Sequence, residues 1–235
     1  MKKLLITAVA VTLAAATQVG ALTVNVTTIA GYSSGGGGEF NVSPITGTGY
    51  APSVLVGGGF ETFCLSRNVG IIVPGTYNAT VNASGVYDFD YSTTKTMAVG
   101  TAYLYSQFAG GGLAGYNYTP GAGRQSSADI LQLAIWTMEG QYGYGSLLLD
   151  LTNPFINAAA NFYGGGVAGL TLAMANGAGF GVGALNMVGI GGANSLPLGT
   201  KVQPMLTLLP DGGTTLMLMG IGFSGLALVS RKFRP

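Results

Sequence analysis

The chain has 235 residues, with 41 Gly, one Cys, one Trp and no His, and nine Lys+Arg stand against eight Asp+Glu. Only 7% of residues are charged, less than a third of the roughly 25% usual for a soluble domain. Without His there is no Ser-His-Asp or Cys-His nucleophile pair and no His-ligated zinc or haem. One Cys allows no internal disulfide, no Cys-x-x-Cys redox pair and no Cys-rich metal site. A formal net charge of +1, with no basic run in the body of the chain, offers nucleic acid no bulk attraction. No metal or cofactor is expected.

Residues 1–21 carry the parts of a secretory signal peptide: Lys2 and Lys3, an apolar stretch from Leu4 to Ala16, and small residues at Val19 and Ala21 that place a signal-peptidase cut after Ala21. From 22 to 208 the composition offers no linker, so this segment reads as one extracytoplasmic domain. Leu22–Thr27 alternates apolar and polar residues as a half-buried strand does, and Ser33–Gly38 is a Gly/Ser loop. Thr62–Leu65, Thr76–Val81 and Val86–Tyr91 read as further strands, bounded by Gly or Pro.

The period then changes. Met97–Phe108 fits a short helix. Ser126-Ser127-Ala128-Asp129 has capping-box spacing before an apolar face of Ile130, Leu131, Ala134, Ile135 and Met138, and Gly140 supplies the stop. Asn153-Pro154 is an N-cap and N1 pair opening a helix over 155–163. Val167–Ile190, apolar and Gly-rich, is expected to return to short strands. The fold class is therefore mainly β, an antiparallel sandwich or barrel-like body with two or three inserted helices, between an N-terminal signal helix and a C-terminal transmembrane helix.

That last helix is Thr214–Ser230, 17 residues without a charge, followed by Arg231, Lys232 and Arg234, which the positive-inside rule keeps in the cytoplasm. Leu209-Pro210-Asp211-Gly212-Gly213 stands directly before it. This tripartite signal over 209–235 resembles the PEP-CTERM class of exosortase substrates, most closely the variant whose motif reads Val-Pro-Asp-Ser-Gly. Leu209 replaces Val and Gly212 replaces Ser. The motif is also similar to the sortase signal Leu-Pro-x-Thr-Gly, but lacks its Thr. The resemblance implies export, transient anchoring in the inner membrane by the C-terminal helix, cutting by an exosortase-type enzyme, and a final place on the cell surface or outside it.

Phe63-Cys64-Leu65 and Leu131-Gln132-Leu133-Ala134-Ile135-Trp136 together resemble the motifs of bacterial thioester domains of surface adhesins. In that family a Cys bonds to a Gln side chain, and two Gln motifs are usual. Tyr normally follows the Cys, where this chain has Leu65. Val202-Gln203-Pro204-Met205-Leu206 matches the later Gln motif except that Thr207 takes its final apolar place. The resemblance implies a thioester between Cys64 and either Gln132 or Gln203. A thioester needs no His, and Glu61, Asp129 or Glu139 could handle its protons. A lone Cys as a small buried hydrophobe, with the Gln as a packing and hydrogen-bonding residue, is the plainer alternative.

Other patterns carry less. Asp88-x-Asp90-x-Ser92 supplies alternate oxygens like part of a calcium loop but lacks the later Gly and Glu. Asn78-Ala79-Thr80 fits a glycosylation acceptor, and no Gly run leads into a Lys-Ser/Thr pair of a phosphate loop. Twelve Tyr and ten Phe could form a sugar-stacking surface as well as a core. The first functional expectation is a non-catalytic structural or binding protein of the cell surface or extracellular matrix, associated with membrane and then with extracellular polysaccharide. A covalent thioester adhesin is the alternative. A secreted glycan-active enzyme using carboxylates among Glu61, Asp129 and Glu139 ranks last.

Overall fold

The computed structural model describes residues 22–33, 37–46, 59–142 and 150–209. The expected signal peptide, the motif from Pro210 onward, the transmembrane helix and its basic tail lie outside the described residues. Among the described residues no helix is long and apolar enough to cross a membrane.

Eight strands and four helices occur among the described residues. The strands are β1 (Leu22–Thr27), β2 (Phe40–Thr46), β3 (Phe60–Thr62), β4 (Gly75–Asn82), β5 (Val86–Asp88), β6 (Thr94–Thr96), β7 (Val182–Gly189) and β8 (Lys201–Leu208). The helices α1 (Val99–Ala109), α2 (Ala122–Met138), α3 (Pro154–Phe162) and α4 (Gly166–Ala173) all fall between β6 and β7. Six strands form one antiparallel sheet in the order β3-β2-β1-β4-β7-β8, and β5 and β6 form a separate hairpin. The large sheet curls into a half-barrel. Its two edges meet: Leu65 N–H donates to Pro204 O at 2.8 Å, Leu206 N–H donates to Phe63 O at 3.1 Å, and Cys64 pairs with Met205 between them.

Alternation along the strands separates two apolar clusters. Val24, Val42, Tyr77, Leu185 and Met205 belong to one, built almost wholly from strand residues that face each other across the curl. Phe63, Ala184 and Leu206 point the other way, against Leu104 and Phe108 of α1, Leu131 and Ile135 of α2, and Phe155 of α3. β7 and β8 contribute to both clusters through their alternate faces, whereas β1, β2 and β4 supply apolar residues to the first alone.

β1 and β4 match the strands expected from alternation, with β4 longer by one residue at each end. Regular strand pairing at β3 covers only Phe60–Thr62, and β5 stops at Asp88. Asn153 caps α3 as expected, its Oδ1 accepting from Phe155 N–H at 2.9 Å and Ile156 N–H at 3.3 Å. Three expectations are corrected. The helices number four among the described residues, not two or three. Helix α2 begins one turn before the capping-box pattern, after Gly121 at φ +135°, so Ser127 lies inside it and donates to Gly123 O. Val167–Ile190 opens as helix α4 rather than strand, and only Val182–Gly189 is extended. Its many Gly residues hide the helical period, yet one of them makes the helix possible: a Cβ on Gly169 would sit 2.2 Å from Ala160 O of α3.

Two substitutions check this account by urea denaturation. Gly169→Ala forces α3 and α4 apart against backbone and should lower unfolding stability by about 1–3 kcal/mol. Asn153→Ala removes the cap and should lower it by about 1 kcal/mol. Unchanged midpoints would contradict the packing and the cap respectively.

Candidate functional site

Cys64 sits at the seam where the curled sheet meets itself. The pattern Leu65 N–H to Pro204 O and Leu206 N–H to Phe63 O makes Cys64 and Met205 a non-hydrogen-bonded antiparallel pair, the class in which facing side chains stand closest. Both side chains enter the strand-built cluster. β8 carries a bulge here: between the pairs Leu185–Met205 and Met187–Val202, Gln203 and Pro204 together oppose Asn186. Pro204 has no N–H for a ladder, and a bulge is one of the few places a strand tolerates it. The bulge turns the Gln203 backbone out of the β7 ladder, so that its N–H donates to Gly70 O at 3.1 Å. Gln203 thereby joins the segment that follows Cys64.

Three glutamines hold that segment. Gln132 of α2, only 1% exposed, accepts from Cys64 N–H through Oε1 at 2.9 Å and donates from Nε2 to Cys64 O at 2.9 Å. Gln141, just past α2, accepts from Arg67 N–H at 2.5 Å and donates to Leu65 O at 2.8 Å. Gln203 donates to Ser66 O. Such reciprocal amide pairing satisfies backbone groups that end their regular strand after Thr62 and would otherwise be buried without partners. Arg67 lies 5.0 Å from the Tyr142 ring and 6.0 Å from the Trp136 ring, and the buried Trp136 Nε1 has no partner among the described residues.

All three residues expected from the thioester motifs are therefore brought to one place, and their roles differ. Gln132 has both ends of its carboxamide committed to the Cys64 backbone. Gln203 commits its amide nitrogen to Ser66 O, two residues past Cys64. Cys64 is a free thiol, 2% exposed, and burial pushes its pKa well above the usual thiol range. A thiol in this setting is protonated and shielded from water.

The three carboxylates named from sequence are not gathered into one cleft. Glu139, 1% exposed, accepts from Tyr87 O–H at 2.8 Å, Ala98 N–H at 2.8 Å and Thr101 O–H at 2.6 Å, and its Oε2 lies 3.8 Å from Lys95 Nζ. It fastens the start of α1 to the hairpin. Burial raises its pKa, opposed by those hydrogen bonds and by Lys95. Asp129 lies on α2. Asp88 pairs with Lys201 at 2.7 Å. Asp90 accepts from Ser92 N–H, Ser92 O–H and Thr93 N–H, which closes a turn and holds its carboxyl low, near pKa 2. The calcium-like spacing is thus an ion pair and a turn. No group of three potential metal ligands occurs among the described residues.

Glu61 instead joins a triad that sequence reading missed. Arg124 of α2 donates from Nε to Glu39 Oε2 at 3.0 Å and from Nη2 to Glu39 Oε1 and, at 2.8 Å, to Glu61 Oε2. Tyr116 O–H donates to Glu39 at 2.7 Å, and the Tyr32 ring centroid lies 3.6 Å from the guanidinium carbon. Glu39 is 1% exposed and stands at φ +44°, a left-handed conformation held by these partners. Burial first, and then the neighbouring Glu39, lift Glu61 to a pKa of about 7 against the pull of Arg124. Glu39 follows a Gly run that reads as a loop, so no periodicity marks it. Its only signal is an acid among residues otherwise nearly free of charge.

Leu209, the first residue of the expected sorting motif, belongs physically to the body. Its N–H donates to Gly181 O at 2.7 Å, and its side chain fills the space a Cβ on Gly183 would need.

The Glu61 shift fixes a pH dependence. A carboxyl with a folded pKa above its unfolded value near 4.5 binds more protons when folded, so stability is full below pH 4.5 and declines as pH rises through about 7. We expect Glu61→Gln to remove about 1–3 kcal/mol of that decline between pH 5 and 8, measured by thermal melts of both proteins; parallel profiles would refute the assignment. Gln132→Ala should lower stability by about 2–4 kcal/mol, because it leaves the Cys64 N–H and C=O buried and unpaired.

Comparison with protein-family models, with characterised proteins and with solved structures finds no match to this chain.

Proposed function

We propose that the chain is an exported, exosortase-processed protein of the cell surface or extracellular matrix whose body attaches covalently through an internal Cys64–Gln203 thioester. The observation that carries this reading is the seam: Cys64, buried and protonated, lies between Gln132, which clamps its peptide, and Gln203, raised on a bulge in the facing strand. The second reading is a non-catalytic structural or binding protein, in which Cys64 is a small buried apolar residue and Gln132 braces its peptide.

The bond chemistry is self-contained. Cys64 Sγ adds to the Gln203 Cδ carbonyl, the S–C bond forms, the C–N bond breaks, and the amide nitrogen leaves as ammonia with the thiol proton. Gln132 is the positioning residue, holding the Cys64 backbone while Gln203 swings from Ser66 O toward the sulfur. The same burial that raises the thiol pKa makes this maturation slow, and it keeps water from the product. An amine on another surface then attacks the carbonyl, forming an amide with Gln203 and returning a proton to the Cys64 sulfur. The signal peptide, the Leu209–Gly213 motif, the apolar helix and the tail of Arg231, Lys232 and Arg234 supply the route to that surface.

Intact mass of the purified full-length protein decides the first claim. Wild type should run about 17 Da, one ammonia, below the mass expected without the bond, with Cys64→Ala and Gln203→Ala each lacking that deficit. Methylamine should add back about 31 Da and expose one thiol in denaturant. A full wild-type mass with one titratable thiol in denaturant would overturn the thioester and leave the clamp a structural brace. Alkylation of the folded protein is uninformative, since burial protects Cys64 in either case. For delivery, deleting 210–213 should hold the protein in the inner-membrane fraction; a wild-type distribution would overturn exosortase processing.

A further inference from the structure

From Leu151 to Thr200 the sequence contains no Asp, Glu, Lys or Arg. This stretch supplies α3, α4 and the segment leading into β7. It also carries exposed aromatic rings: Phe162, the last residue of α3, is 53% exposed, and Phe180, just before β7, is 43% exposed. Both pack on the half-buried Tyr103 of α1. Phe162 stacks on Tyr103 with centroids 4.3 Å apart, and Phe180 stands edge-on to each of them at 5.6 Å. Tyr163 meets Phe162 at 5.0 Å. Phe180 holds φ +55°, a left-handed conformation unfavourable for a bulky side chain. The backbone thus fixes this ring in place while leaving much of it in solvent.

The chain leaves the body beside this cluster. Leu209 N–H donates to Gly181 O at 2.7 Å, one residue after Phe180, and the Leu209 side chain lies over Gly183. Only Pro210–Gly213 separate Leu209 from the apolar helix expected at Thr214–Ser230. Four extended residues span about 14 Å. With that helix in a bilayer, the tether holds Phe180 close to the lipid headgroups. Aromatic rings on an uncharged surface suit this interfacial zone, where their burial is favourable and no headgroup charge is needed.

We propose that Tyr103, Phe162 and Phe180 form a membrane-docking surface that seats the body on the outer leaflet of the inner membrane while the precursor is anchored. The inference rests on the anchor helix of the proposed function. Lipid is favoured over a second copy as the occupant, because the short tether brings lipid to the rings of every molecule at any protein concentration. The charge-free stretch also lacks the ion pairs that orient a protein partner. Docking would hold Pro210–Gly213 at the membrane surface, within reach of a membrane-embedded processing enzyme.

Fluorescence of the full-length protein in phosphatidylcholine vesicles tests this, with acyl-chain-brominated lipid as the quencher. Wild type reports on Trp136, the only Trp, which packs against the strand-built cluster, whereas Tyr103 and Tyr163 pack against the helix-facing one. Phe162→Trp and Phe180→Trp each add one reporter and keep an aromatic ring in place. Brominated lipid should remove the added emission in both variants and leave wild type unquenched. Resistance to alkaline carbonate extraction, lost on deleting 214–230, reads the anchor separately. Quenched reporters in a chain that carbonate extracts would uphold docking and remove the anchor reading. Unquenched reporters would overturn docking, whether or not carbonate extracts the chain. Equal quenching of wild type would overturn it too. So would reporters shielded from aqueous acrylamide yet unquenched by lipid, which would assign the rings to a second copy or to the chain's own tail.

Discussion

Two backbone hydrogen bonds, Leu65 to Pro204 and Leu206 to Phe63, are the constraint on which the arrangement of this protein rests. A six-stranded open sheet has two edges with unpaired N–H and C=O groups, a standing invitation to pairing with other chains. Curling until β3 and β8 meet removes part of both edges at once. Closure is only local, because the strands run together at the Cys64–Met205 pair and then part. The groups left over beyond it are taken by side-chain amides rather than by another strand. Gln132, Gln141 and Gln203 do there what a ladder does elsewhere, with the difference that side chains can be re-aimed. Cys64 is thus enclosed by a structure that is rigid in its backbone and adjustable in its amides.

The scarcity of charge has a counterpart inside the molecule. Of the basic residues in the described body, Lys95, Arg124 and Lys201 are engaged with carboxylates, and Arg67 lies over aromatic rings. Arg124 and Glu39 are almost fully enclosed. Removing a charge from water is expensive, and a paired charge returns little net stability, so such groups are tied to position more than to stability. Arg124 joins α2 to the loop before β2 and to β3; Glu139 joins the end of α2 to α1 and the hairpin. The helices are held on the sheet by these two polar pins as well as by the apolar cluster, and a cavity of about 300 Å³, with Tyr32 and Tyr118 among its lining residues, lies beside the first of them.

Local signals were legible where one element decides them. The alternation of Leu22–Thr27 and the Asn153-Pro154 cap need only neighbouring residues, and both correspond to the structure. The Gly-rich stretch after Val167 was not legible, because α4 exists through close contact with α3 at Gly169, a relation between two helices. β8 was opaque for a related reason. Pro204 argues against a strand until the bulge is known, and the bulge depends on β7. Of the candidate site, the Cys64 and Gln132 motifs could be read from spacing, and Gln203 from a weaker match. Gln141, Glu39 and Arg124 could not, since nothing local distinguishes a Gln after a glycine, or an acid after a Gly run, from a surface residue.

Composition by itself settled the chemistry available to this protein: no His, one thiol, few charges and many aromatics. Those counts hold in any conformation. Which of two glutamines clamps the Cys64 peptide, which acid meets the arginine, and whether the tyrosines fill a core or line a cavity were decided only by the fold. Each depends on residues 60 to 140 positions apart being drawn together by sheet closure and by helix packing, and no periodicity along the chain encodes that closure.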